Sequence, residues 1–220
     1  MFKGHCFPKL IILHAVYMKL RFSLSYRDIE ELLAIRGIKV DHATIQRWVF
    51  KFTPIVELQF RKRRELVGRR WRMDETYIKV KGEWCYLYRA VDKEGNTVDF
   101  LLTKRRQRIS AHKFLIKAIT NNGRQELINI DKSGANTSAI KLYNRRNHSR
   151  IQIRQCKYLN NIVGQDHRMI KWRIVQGLGF KEFESAKRTI AGIEIVRMIK
   201  KDQLSNTTAS TYKSFISLAA

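Results

Sequence analysis

Asp74 lies inside an alternating stretch, Trp71-Arg72-Met73-Asp74-Glu75-Thr76-Tyr77, and Asp131 directly follows the short apolar run Leu127–Ile130. A carboxylate within a sheet is unfavourable unless it is paired or binds a metal. Two such carboxylates brought to one point suit Mg²⁺, a hard ion that takes oxygen ligands and keeps several waters. A surface aspartate and an unrelated turn aspartate fit the same residue types, so the two readings stand side by side. A second set, His42, Thr44, Gln46 and Arg47, has side chains of the kind that reach base edges and phosphates. His5, Cys6 and His14 lack zinc-ligand spacing. Cys6, Cys85 and Cys156 are too far apart for a CxxC site and odd in number, which fits a reducing, cytoplasmic setting.

Charge says what these side chains meet. The 220 residues hold 44 Lys+Arg against 19 Asp+Glu, a net charge of +25. A chain this basic repels itself unless a polyanion neutralises it, and nucleic acid is the first candidate. Apolar residues make up 44%, enough for a core, so a disordered basic tail is excluded. No apolar run is long enough to span a bilayer. Leu10–Val16 is followed by Lys19 and Arg21 and lacks a small-residue cleavage pattern, so it does not read as a signal peptide.

The elements that must position these residues follow from periodicity. Ile11, Ile12, Ala15, Val16 and Leu20 make a helical stripe. Ser25 and Asp28 form a capping-box-like start for a second helix, and Gly37 stops it. Asp41 caps a third helix, with Ile45, Trp48 and Val49 on its apolar face and Pro54 limiting it. Helix, glycine-bearing turn, helix is the helix-turn-helix pattern, whose second helix enters the major groove by its first residues. An ordinary helical hairpin has the same outline. Arg61-Lys62-Arg63-Arg64 with Arg69-Arg70 reads as a basic linker.

Beyond Gly68 the pattern turns to strands at Arg72–Val80, Trp84–Asp92 and Thr97–Thr103, an antiparallel meander. Trp84, Tyr86 and Tyr88 alternate there, as core and sheet packing rather than base-stacking platforms. Ser110 is placed as the cap of a helix that Gly123 ends. The strand Leu127–Ile130, a helical stretch near Thr137–Tyr143 and a strand at Ile151–Cys156 follow. Helices over Asn160–Ile174 and Ser185–Lys200 close the pattern, the last with Ala186, Ile190, Ile193, Val196 and Ile199 on one face. Such an order suits an α/β, RNase H-like core of the retroviral integrase type preceded by an all-α domain. The expected division is 1–68 for the helix-turn-helix domain and linker, 69–204 for the core, and 205–220 for a polar, disordered tail.

At this point the chain resembles the DDE transposases of bacterial insertion sequences, in particular insertion sequence family six. The resemblance rests on Phe2-Lys3-Gly4-His5 with Phe7-Pro8, Ser25-Tyr26-Arg27-Asp28-Ile29-Glu30-Glu31 and Asp41-His42-Ala43-Thr44-Ile45 with Arg47-Trp48-Val49. It continues in Met73-Asp74-Glu75-Thr76-Tyr77-Ile78-Lys79, Lys81-Gly82-Glu83-Trp84 and Tyr86-Leu87-Tyr88-Arg89-Ala90-Val91-Asp92. Lys157-Tyr158-Leu159-Asn160-Asn161, Gln165-Asp166-His167-Arg168 and Gly179-Phe180 complete it. The order of these motifs is specific where any single one is not.

The resemblance implies a catalytic Asp-Asp-Glu triplet holding two Mg²⁺ ions for DNA cleavage and strand transfer. Asp74 matches the first position and Asp131 the second. Where the family carries Glu before Gln-Asp-His-Arg, this chain carries Gly164. The frame is intact, since 164 − 131 is 33 and the expected basic residue follows at Lys171, 164 + 7. His167, Arg168 and Lys171 are expected to meet DNA phosphate. Asp166, two positions on, falls about 200° around the helix, and Glu75 points to the opposite face of its strand from Asp74, so neither replaces the missing carboxylate. The implied partners are duplex DNA, as terminal inverted repeats and target, and a second copy of the chain. Two readings remain: a transposase impaired at Gly164, or a catalytically dead protein that occupies the element ends.

Overall fold

The structure, a computed structural model, describes residues 6–123, 125–132, 134–156, 160–176, 179–205 and 210–219. The motif residues Phe2–His5 and Lys157–Leu159 and the side chains of Asn161 and Asp166 lie outside them. The elements run α1 (Lys9–Arg21), α2 (Tyr26–Ala34), α3 (His42–Arg63), β1 (Arg70–Val80), β2 (Glu83–Asp92), β3 (Thr97–Thr103) and α4 (Arg108–Asn122). They continue as β4 (Leu127–Ile130), α5 (Gly134–Arg146), β5 (Gln152–Gln155), α6 (Asn161–Gln176), α7 (Phe183–Lys200) and α8 (Thr211–Ser217). The chain divides into two compact units, one of residues 1–65 with 172–220 and one of 66–171.

These units differ in their bounds from the expected 1–68, 69–204 and 205–220. The reason lies in α7. Its expected single apolar face is in fact apolar nearly all round, with eleven buried residues from Ala186 to Ile199. A helix of that kind needs neighbours on several sides, and α1, α3 and α8 supply them. Gly192 permits the approach: a Cβ there would lie 2.5 Å from Leu20 Cδ2 and 2.9 Å from Thr53 Cγ2. Gly192→Val should therefore cost about 1–3 kcal/mol by overpacking. A thermal melt checks this, at about 2–4 °C per kcal/mol for a chain of this size. The expected disordered tail also contains α8, whose Phe215 is fully buried and packs on Tyr17 at 5.3 Å between ring centroids.

Within the same unit, Ser25 and Asp28 make the reciprocal capping box. Gly37, at φ 75°, closes α2, with the Ile38 amide donating to the Leu33 carbonyl. The Asp41 side chain accepts from the amides of Ala43 and Thr44. Pro54 does not limit α3, which runs to Arg63. A proline removes one helical N–H and so frees the carbonyl four residues back. That carbonyl, on Phe50, accepts from Arg188 of α7 at 2.9 Å, and the same guanidinium lies 3.6 Å over the Phe50 ring. Half of the supposed basic linker is thus helix: Arg61, Lys62 and Arg63 form the last turn of α3, and Arg61 pairs with Glu57.

The second unit is built on a five-stranded sheet of order β3-β2-β1-β4-β5. β1 pairs antiparallel with β2, β2 antiparallel with β3, and β4 runs parallel to both β1 and β5. This is the RNase H-like arrangement that the order of elements leads one to expect. Lys81 and Gly82, at φ 49° and 82°, make the two-residue hairpin loop between β1 and β2. Trp71, Met73, Tyr88 and Val98 join Phe114, Leu115, Ala139 and Ile140 of α4 and α5 in one apolar cluster. α4 starts after Gln107, three residues before the expected Ser110 cap, and the Ser110 hydroxyl instead donates to the Arg105 carbonyl. Tyr88 and Tyr86 are buried or half-buried as expected, but Trp84 is 58% exposed at the end of the sheet.

Candidate active site

Successive strand side chains alternate between faces. Trp71 and Met73 are in the cluster with α4 and α5, so Asp74 belongs to the other face. The parallel register pairs Arg72 of β1 with Asn129 of β4. Asp74 lies two residues further along β1, and Asp131 follows the last residue of β4. Both aspartates are half-buried. Arg89, the direct partner of Asp74 on β2, is fully buried on that face.

The helix that should carry the third catalytic side chain is tied to the strands by amides. Asn129 Nδ2 donates to Asn160 Oδ1 at 2.7 Å and to the Cys156 carbonyl at 3.1 Å. Asn160 Nδ2 donates in turn to the Met73 carbonyl, next to Asp74, at 3.3 Å. Buried amides satisfied in this way give a definite geometry. They fix where α6 starts relative to β1 and β4. This pair has little signal in the sequence beyond a lone Asn in the apolar strand Leu-Ile-Asn-Ile.

On α6, residues 164, 167, 168 and 171 stand at i, i+3, i+4 and i+7 and share one stripe. A Cβ at Gly164 would meet nothing within 4 Å, so the space for the family's side chain is open. Arg168 and Lys171 are exposed, as phosphate contacts require. His167 is not. It is 5% exposed, with Nε2 3.6 Å from Asp74 Oδ2. Its expected place at the DNA backbone is corrected by the stripe itself, whose inner edge it occupies.

Glu75 is the other acidic side chain near Asp74 in sequence, and it is fully used elsewhere. Arg106 donates to its Oε1 through Nε at 2.8 Å and also through Nη2, and Asn136 of α5 donates to Oε2 at 2.9 Å. The Glu75 carboxylate holds the Arg106 pKa above its usual value. Burial pushes the nearby Tyr88 hydroxyl up to about 12, with the charge of Glu75 adding to it. Glu75 is thus a packing and pairing residue of the α4/α5 face.

The donor set fits the family's metal requirement only in part. Asp74 and Asp131 carry hard oxygen donors of the kind that Mg²⁺ takes. A second ion lacks the carboxylate that position 164 should supply. Among the described residues, one group of three does gather its ligand atoms within 4.8 Å: Glu30, Asp41 and His42. Helix capping accounts for it. Glu30 accepts from the His42 amide and meets its Nδ1 at 2.8 Å, while Asp41 caps α3.

The α3 residues expected to meet DNA differ in their surroundings. His42 is half-buried and held by Glu30. Thr44 is half-buried, and Gln46 and Arg47 are exposed. Arg47 Nε donates to the Ala43 carbonyl at 3.2 Å, which lays the side chain along the first turn of the helix. Cys6, Cys85 and Cys156 are free thiols, and His14 packs edge-on against Tyr212.

Known proteins were compared with this arrangement. Residues 68–203 match the family model described as the DDE domain. The transposase for insertion sequence-like element IS431mec of Staphylococcus aureus strain N315 is 39% identical over 204 residues, 91% of this chain and 88% of its own. The transposase for insertion sequence element IS257 in transposon Tn4003 of Staphylococcus aureus matches to the same extent. Among solved structures, the HTLV-2 integrase catalytic core domain in complex with magnesium has a TM-score of 0.45 at 16% identity, over 60% of this chain and 86% of that one. The BIV integrase catalytic core has a TM-score of 0.46 at 14% identity, over 68% and 94%.

Proposed function

This chain belongs to the DDE-domain transposases of insertion sequences, and on that premise we propose that it binds the terminal inverted repeats of its element and carries out Mg²⁺-dependent DNA cleavage and strand transfer at a rate cut down by Gly164. The observation that supports the reading is the family match together with the parallel pairing of β1, which carries Asp74, with β4, which leads into Asp131. Bound Mg²⁺ would supply electrophilic stabilisation of the phosphate and activation of the attacking hydroxyl. Asp74 and Asp131 hold that charge at one point. Asn129 and Asn160 keep α6 against them. Arg168 and Lys171 bind the DNA backbone from the exposed edge of the α6 stripe. Gly164 leaves the set one anion short.

The second reading follows from Gly164 itself. A protein that keeps its DNA-binding helices and lacks the third carboxylate occupies the element ends without cutting them. It would act as an inhibitor of transposition or persist as a degenerate copy. No helix is long and apolar enough to cross a membrane. The solved relatives include integrase cores in dimeric and trimeric forms, and we take a homodimer as the form that would bring two ends together.

End recognition is assigned to the first residues of α3. Arg47→Ala should weaken binding to terminal-repeat duplex by about tenfold, the loss of one base or phosphate contact. His42→Ala should act differently, by loosening the Glu30 contact and so the α2–α3 turn. Fluorescence anisotropy with the repeat duplex measures both. Unchanged binding by the Arg47 variant would remove α3 as the recognition helix.

A further inference from the structure

We propose that the exposed aromatic face near the β1–β2 hairpin loop, made of Tyr77, Trp84 and Tyr86 with Lys79 beside them, is a stacking platform for the bases of single-stranded DNA. The face lies wholly within the sheet unit and needs no part of the end-binding reading. Tyr77 and Lys79 continue on β1 the alternation of Trp71, Met73 and Glu75, and Trp84 and Tyr86 precede Tyr88 in the alternation of β2. The register pairs Tyr77 with Tyr86 and Lys79 with Trp84, so the four side chains are cross-strand neighbours on one face. Glu75, before them on that face, still meets Asn136 of α5. Beyond it, Tyr77 is 45% and Trp84 58% exposed. β3 ends at Thr103, opposite Tyr86, and so stops short of Trp84.

A single exposed ring needs no explanation, but a contiguous group of them marks a contact surface. These rings meet edge to face, Tyr77 with Trp84 at 6.2 Å and with Tyr86 at 5.4 Å between centroids. None is stacked on another, which leaves flat surface for a base. Lys79 Nζ lies 5.7 Å from the centre of the Trp84 ring, within cation–π reach. The Thr103 hydroxyl donates to the Arg105 carbonyl at 3.1 Å and holds the turn after β3 at the end of that strand. Lys79, Lys81, Lys104 and Arg105 are exposed on and around the face, against the one exposed carboxylate of Glu83. That excess of cations selects a polyanion as the occupant. A second copy of the chain seated face to face would set the same cations against themselves. An unpaired strand offers what rings and cations together take: a π face on every base and a phosphate at every link. A duplex keeps its base faces stacked inside, where these rings do not reach them.

The test compares two probes on the full chain at one salt concentration: a short labelled oligothymidylate, and an abasic oligomer of the same length that carries the phosphates without the bases. Fluorescence anisotropy should show the wild type binding the thymidylate about tenfold or more tightly than the abasic strand, the worth of a stacked base. Trp84→Leu keeps an apolar side chain but no flat face, and it should bring the two affinities together. Trp84→Phe should keep most of the gap. No gap in the wild type, or a gap that survives Trp84→Leu, overturns the proposal. If the Leu variant does not fold, indole emission decides between wild type and Trp84→Phe. Oligothymidylate should quench the wild type and leave the Phe variant unquenched; equal quenching of both is fatal to the proposal. Sedimentation that gives a dimer for the wild type and a monomer for Trp84→Leu would assign the face to a second copy and overturn the proposal as well. Binding to terminal-repeat duplex should be the same for the wild type and Trp84→Leu. Loss of duplex binding by the wild type counts against the end-binding reading and leaves the thymidylate-against-abasic comparison to decide this one.

Discussion

Gly164→Glu should raise Mg²⁺-dependent cleavage and strand transfer on terminal-repeat DNA by about a thousandfold or more. Loss of a metal-holding carboxylate forfeits several kcal/mol of transition-state stabilisation, and each 1.36 kcal/mol is about tenfold in rate. The structure offers no steric objection, since a Cβ at 164 meets nothing within 4 Å. The helix gains as well: glycine in a helix interior is less favourable than an ordinary residue by roughly 0.5–1 kcal/mol. That second effect needs its own control, which Gly164→Ala provides. Alanine stabilises α6 without adding an anion, so it should leave the rate near the wild-type level. Similar rates for wild type and the Glu variant would mean that position 164 does not decide cutting. The impaired-enzyme and inhibitor readings would then both fall.

Sequence and structure meet at the sheet and part at the helices. The strands that carry Asp74 and lead into Asp131 are legible because strand periodicity is local. Their neighbouring places follow from the succession of meander, helix and strand, and the sheet has that order. The placement of α7 and α8 was not legible, because it depends on which of several apolar surfaces a helix finds. A stripe of Ala186, Ile190 and Ile193 suits one flat partner. The burial of Thr189, Gly192 and Glu194 as well shows α7 enclosed. Pro54 misled for a similar reason. Proline penalises a helix by the carbonyl that it strands, and Arg188, 134 residues further on (188 − 54), repairs that at Phe50.

His167 is the instructive case at the site. By residue type a histidine beside an arginine at a DNA-facing helix reads as exposed. Its spacing from Gly164 carried the opposite message: i+3 and i+4 flank the same stripe, one toward the sheet and one toward solvent. Which of the two turns inward follows from the apolar residues of α6: Val163 and Ile170 are buried, and His167 stands four residues after the one and three before the other.

Affinity for terminal-repeat duplex should fall by about 10³–10⁵-fold between roughly 50 and 200 mM salt, for a footprint of about 6–10 phosphates. The composition requires a response of this kind. With 44 cations and 19 anions, a charge of +25 is left uncompensated within the chain. On the helices of the first unit Arg27, Arg47, Lys51 and Lys62 are exposed, as is Arg36 in the turn after α2. A plot of log affinity against log salt should be linear, with a slope near −0.9 per phosphate neutralised. A flat response would exclude phosphate contact as the source of binding. The same plot for Gly164→Glu should run parallel to that of the wild type, displaced by at most about one phosphate equivalent. The new anion joins the catalytic unit, whereas the repeats are assigned to α3. A parallel line with a thousandfold change in rate would establish that binding and cutting are separate properties of this chain. A protein with the slope and without the rate is the occupant of element ends that the second reading describes, and one substitution at residue 164 would convert it.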